Sequence, residues 1–106
     1  MNGEFVDPVK RSDLESLLLT LNTVFKPPYE AKVVVSGKLE GAFGDCTVKD
    51  GKAVIRIARG MPRSLAVEVL AHEYAHLLSH DYHGRNHDAV WAVAYAEVYK
   101  LVMGDH

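Results

Sequence analysis

The sequence predicts one α+β domain in which three helices pack on a small three-stranded sheet. Three observations carry that prediction. A leucine-rich helical pattern opens the chain, three short runs rich in β-branched residues follow, and two further helical segments close it. Strands gathered between helices point to helices segregated against one sheet, not to alternating β-α units. A chain of 106 residues is the usual size of one domain. It has room for one core and one site.

The first helix is expected from about Pro8 to Phe25. Asp7 can cap it, and Pro8 suits the first helical position, where a missing N–H costs nothing. Leu14, Leu17, Leu18, Leu21 and Val24–Phe25 recur at helical spacing and define its apolar face. Pro27-Pro28 ends it. A valine-rich run from Lys32 to Ser36 reads as a strand, and Ala42 to Val48 as a second. Asp50-Gly51 is a hairpin signal, because both residues tolerate positive φ. Ala53 to Ala58 reads as the third strand with Arg56 outward, so the last pair is expected to be antiparallel. Gly60 to Ser64 forms a break. A helix then runs from about Ser64 to Ser79, and a polar loop from about Ser79 to Arg85. Asn86 can cap a last helix, about His87 to Met103, which Gly104 stops.

Composition excludes several classes of function. With 48% apolar and 25% charged residues, the chain matches a soluble globular protein. No stretch reaches the roughly 18–20 apolar residues of a membrane span. Met1-Asn2-Gly3-Glu4-Phe5 lacks the basic region and apolar run of a signal peptide, which predicts an intracellular protein. The net charge is −2 and the Lys and Arg residues are scattered, so no footprint for autonomous nucleic-acid binding is expected. A single cysteine, Cys46, rules out a disulfide framework and a four-cysteine zinc ribbon in this chain. With no paired base beside it, Cys46 reads as a small buried apolar residue rather than a nucleophile.

Histidine breaks this ordinary pattern. Five of the six histidines, His72, His76, His80, His83 and His87, fall within sixteen residues. Residues 72–76 read HEYAH. On a helix, positions i and i+4 lie on one face about 6 Å apart, so the two imidazoles can converge on one Zn²⁺. Glu73 points about 100° away. It can face a metal-bound water and act as general base, since zinc lowers the pKa of that water toward about 7. From Val69 to Leu78, Glu73 is the only formally charged residue. Three strongly polar groups on so apolar a helix are costly unless something satisfies them, and a metal would satisfy all three.

Two histidines leave a tetrahedral zinc short of a protein ligand. His80 continues the same face one turn further on and reads as a solvent-facing residue near a helix C-terminus. Glu97 reads as a solvated charge with Lys100 at i+3. His83 and His87 remain. His83 precedes Gly84 in a loop, whereas His87 opens a helix with Trp91 one turn later, and a ligand on a rigid element is better preorganised.

The stretch from Leu70 to Val102 resembles the SprT-like zinc metallopeptidases. Members carry HExxH on one helix, a loop of variable length, and a histidine with an aromatic residue four positions later. Here HEYAH at 72–76 matches the first part, and His87 with Trp91 matches the second, followed by AVAYAEVYKL at 92–101. The resemblance supports His87 as third ligand. Asp88 follows His87 where the family usually has glycine, and the His-Gly pair is His83-Gly84, so both histidines stay candidates. Upstream, a helix, short strands with GAFGDC at 41–46 and a strand ending near Ala58 follow the family's order. Many members also carry a zinc ribbon or nucleic-acid-binding tails; this resembles a short, ribbon-lacking member.

The resulting expectation is a zincin-like α+β domain that hydrolyses peptide bonds. Zn²⁺ would be held by His72, His76 and His87, with Glu73 as general base. A protein or peptide substrate is expected, an unidentified partner protein is admitted, and neither membrane nor nucleic acid is called for. A cell-wall peptide amidase and a non-catalytic, metal-stabilised interaction module are the competing readings. Tyr82, in the loop, and Tyr95, expected to pack within the last helix, could donate to an oxyanion. Trp91 is expected as a wall beside the site. The strand at 53–58 could offer an edge to an extended peptide.

Overall fold

The computed structural model describes residues 9–37, 39, 43–79 and 89–103. They form α1 (Arg11–Phe25), β1 (Glu30–Ser36), β2 (Gly44–Lys49), β3 (Lys52–Ala58), α2 (Arg63–Leu78) and α3 (Ala89–Val102). This is the expected α+β arrangement of three helices and a three-stranded sheet. No helix among the described residues is long and apolar enough to cross a membrane.

α1 begins later than the sequence suggests. Lys10, extended at φ −100° and ψ 144°, is its N-cap and makes no side-chain capping bond, while Asp7 and Pro8 lie outside the described residues. Tertiary contacts override the local signal here. The Val9 N–H donates to the Met61 carbonyl at 2.9 Å and both side chains are buried, which keeps this stretch extended beside the entry to α2. At the other end Lys26 turns left-handed, at φ 48°, and its N–H donates to the Asn22 carbonyl. Pro27 and Pro28, which cannot continue a helix, follow. Leu14, Leu18 and Leu21 are buried as expected, whereas Val24 is 56% exposed.

Asp50 and Gly51 take positive φ, 54° and 74°, and close the β2–β3 hairpin as an antiparallel pair with Lys49 opposite Lys52. The strand order is β1-β3-β2, and β1 runs parallel to β3 with Val33 opposite Ile55. β3 is therefore the central strand, hydrogen-bonded on both sides. It has no free edge for an extended peptide, and the expectation placed on residues 53–58 is corrected on that ground. The edges belong to β1 and β2.

One face of the sheet presents Ala31, Val33, Cys46, Ala53, Ile55 and Ile57 to Leu14, Leu18 and Leu21 of α1 and to Ala66, Leu70, Tyr74 and Leu77 of α2. Each fully buried leucine or isoleucine contributes about 1.5–3 kcal/mol relative to its exposed state. α2 packs on β2 and β3, α1 on β1, and α3 on α2. Being covered by both sheet and helix, α2 is apolar almost all round.

A polar relay crosses this core. The fully buried Tyr74 donates its hydroxyl to Asn22 Oδ1 at 3.0 Å, and Asn22 Nδ2 donates to the Ala31 carbonyl at 3.3 Å. The relay joins α2, α1 and β1. Tyr74→Phe removes the donor and leaves Asn22 Oδ1 unsatisfied, so it is expected to lower stability by about 1–2 kcal/mol. Urea unfolding of the two proteins checks this.

Candidate active site

The side of α2 that meets the aromatic rings of α3 carries the histidine pair. His72 and His76, one turn apart, bring their Nε2 atoms to 3.3 Å, with ring centroids 4.9 Å apart and planes at 72°. Two nitrogens bound to one tetrahedral zinc at about 2.0–2.1 Å stand about 3.3–3.4 Å apart. The pair therefore fits a shared zinc ion, and the same spacing also permits an N–H···N bond between the rings. His76 is 1% exposed and Glu73 8%.

α3 walls the pair with aromatic rings. The Trp91 ring centroid lies 5.1 Å from that of His72 and 5.5 Å from that of His76. Its indole N–H donates to the His72 carbonyl at 3.5 Å, which ties the ring to the turn that holds the histidines. Tyr95 stacks on Trp91 at 5.0 Å and 12° and stands 6.0 Å from His72. Trp91 is thus the expected wall. Tyr95 packs within its helix against Trp91 and Tyr99, as expected, and also extends that wall to the cavity described below.

Glu73 is the buried carboxyl of this region. Burial pushes its carboxyl up to about 7, and the Asp45 charge adds to the shift. Asp45 lies opposite Arg56 in the β2–β3 register and accepts two hydrogen bonds from its guanidinium, Nε to Oδ1 at 2.8 Å and a second to Oδ2. Arg56 points away from the core, as expected, and is occupied by that pair. Cys46 is buried. Burial, with the Glu73 and Asp45 charges, pushes its thiol up to about 12, so it is not a nucleophile at neutral pH.

A cavity of about 320 Å³ opens beside His72 and Glu73, lined by Phe43, Gly44, Leu65, Glu68, Val69 and Tyr95. On α2, residues 65, 68, 69, 72 and 76 form one stripe at helical spacing, so the histidine face and the cavity floor are continuous. Phe43 and Glu68 join the site without having been expected there, and Tyr95, a candidate oxyanion donor from the sequence, lines the cavity. The signal available for Glu68 is its place one turn before His72. Phe43 and Tyr95 arrive by tertiary packing alone.

Gly44 of β2 lies against Val69 of α2. A Cβ there would stand 2.6 Å from Val69 Cγ1 and 2.8 Å from the Arg56 carbonyl oxygen. The second contact is with backbone, so the strand itself must shift. Gly44→Ala is expected to lower stability by about 1–3 kcal/mol, read as a lower midpoint of thermal unfolding.

Among the described residues no group of three or more His, Cys, Asp or Glu side chains is arranged to hold a metal. His87, expected as third ligand, and its alternative His83 lie outside the described residues, as do His80 and Tyr82. Glu97 is exposed on α3, in keeping with a solvated charge.

Compared with protein-family models, the chain matches the one described as the SprT-like family over residues 14–104, the family that the stretch from Leu70 to Val102 resembles. A search of the curated proteins finds no match.

Proposed function

Because this chain belongs to the SprT-like family, we propose that it is a zinc-dependent metallopeptidase acting on proteins or peptides. The observation that carries this reading is the 3.3 Å approach of His72 Nε2 to His76 Nε2 beside a cavity walled by Glu73. His72 and His76 are two ligands and His87 is the third. Zinc, when bound, supplies Lewis acidity toward a carbonyl oxygen and makes water a nucleophile near neutral pH.

The protein's own groups do the rest. Glu73 sits next to the first ligand and borders the cavity, so a water and a scissile amide placed there share its carboxylate. It accepts the proton of the attacking water and delivers it to the amine nitrogen as the C–N bond breaks. Trp91 and Tyr95 keep water from one side of the histidines and fix the orientation of the His72 ring. Gly44 lets β2 approach closely enough to close the opposite wall.

The test is metal content and hydrolysis measured together. The purified protein is expected to hold about one zinc ion per chain and to cleave an unfolded protein such as casein. A chelator should stop cleavage and added zinc should restore it. Hydrolysis indifferent to the chelator, or a protein that takes up no zinc, would sink this reading.

A further inference from the structure

We propose that the cavity beside His72 receives a basic side chain of the substrate, lysine or arginine, adjacent to the bond that is cut, with Glu68 holding its cationic head. This rests on the peptidase reading and adds to it the class of side chain selected.

The spacing along α2 is the first support. Glu68 stands four residues before His72, on the same face and about 6 Å along the axis. Helical side chains lean toward the helix N-terminus, so the Glu68 carboxylate stands on the N-terminal side of His72. That separation suits the four-carbon stem of a lysine whose backbone lies at the histidines. Val69 lies between Glu68 and His72, and Leu65 and Phe43 complete the apolar part of the described lining. Phe43 is 63% exposed, and its carbonyl is held by the Ala58 N–H at 2.8 Å, which fixes the backbone that carries the ring. Methylene stems lie along such surfaces while their charged heads seek a polar partner.

Charge supports the same assignment. The described lining holds two carboxylates, Glu68 and Glu73, and neither lysine nor arginine. Among the described residues Glu68 has no ion-pair partner, and Arg56, the guanidinium on the neighbouring strand, is taken up by Asp45. Glu68 and Tyr95 line the same cavity, so the carboxylate faces the space that the Tyr95 wall bounds. A wholly apolar side chain would cover Glu68 without giving it a partner, at a desolvation cost. A basic one supplies a charge-assisted hydrogen bond. The volume of about 320 Å³ is at the small end for ligand sites and suits a single side chain.

Peptides that differ only in lysine or norleucine beside one scissile bond isolate the charge, because norleucine keeps the stem and lacks the ammonium. They are compared by kcat/KM with the zinc-loaded protein, and by binding to its Glu73→Gln variant. Lysine is expected to be favoured about tenfold in both assays. Glu68→Gln should bring the two peptides together, and Glu68→Lys should shift preference to a glutamate peptide. Norleucine equal to or better than lysine overturns the proposal, even where cleavage shows the peptidase reading to be right. Absence of cleavage with binding that still favours lysine and depends on Glu68 supports the pocket assignment and overturns the peptidase reading. Neither cleavage nor binding overturns both.

Discussion

Glu73→Gln is expected to lower kcat on casein by at least about 100-fold, the low end of what a positioned general base contributes, while zinc content stays at the wild-type level. Glutamine has nearly the volume and shape of glutamate, so the cavity and its wall are kept. It lacks the group that accepts a proton from water and returns it to the departing amine. The loss should therefore fall on kcat, with KM changed little, because the interaction removed is made only in the transition state. His76→Ala gives the contrasting pattern, with zinc and activity lost together, since His76 is 1% exposed and turned toward His72. The two variants separate chemistry from metal binding. Activity retained in Glu73→Gln would remove the carboxylate from the mechanism even if zinc were present.

Much of the architecture was legible in the sequence because it is written at short range. The leucine spacing of α1, the Asp50-Gly51 turn and the extents of β3 and α2 each follow from local periodicity and turn chemistry. HEYAH likewise announced a histidine pair on one helical face, and the 3.3 Å between the ring nitrogens is that geometry realised. Long-range pairing was not legible. Nothing in Lys32–Ser36 says that it lies parallel to β3 on the far side of the hairpin, because pairing partners are set by packing against the shared core. The same limit explains the late start of α1, where the contact between Val9 and Met61 outweighs a good capping sequence. It also explains the cavity: Glu68 lies one turn before His72 on α2, but Phe43 comes from the approach to β2 and Tyr95 from α3, and only the fold brings those two to His72.

The substitution that removes activity is also expected to stabilise the zinc-free chain. In its native setting the Glu73 carboxyl titrates at about 7, against an ordinary value of 4.5, chiefly because burial penalises its charge. The folded chain therefore holds this proton more tightly than the unfolded chain does. Between those two values the native state binds more protons, so stability falls as pH rises through that window and then levels off. At pH 8 the full penalty applies, on the order of 3 kcal/mol. Glutamine stands in for the protonated acid and carries no such cost. With zinc removed by a chelator, Glu73→Gln should unfold at higher urea than the wild type at pH 8, and the advantage should shrink toward pH 5 and vanish near pH 4. Restoring zinc should narrow the gap at pH 8, since a nearby cation favours the carboxylate over the amide. A variant no more stable than the wild type at pH 8 would mean that donors within the native chain already satisfy the carboxylate. The expected gain instead identifies Glu73 as a charge kept in a dry place at a cost to the fold, as a general base beside a metal requires and as stability alone would never select.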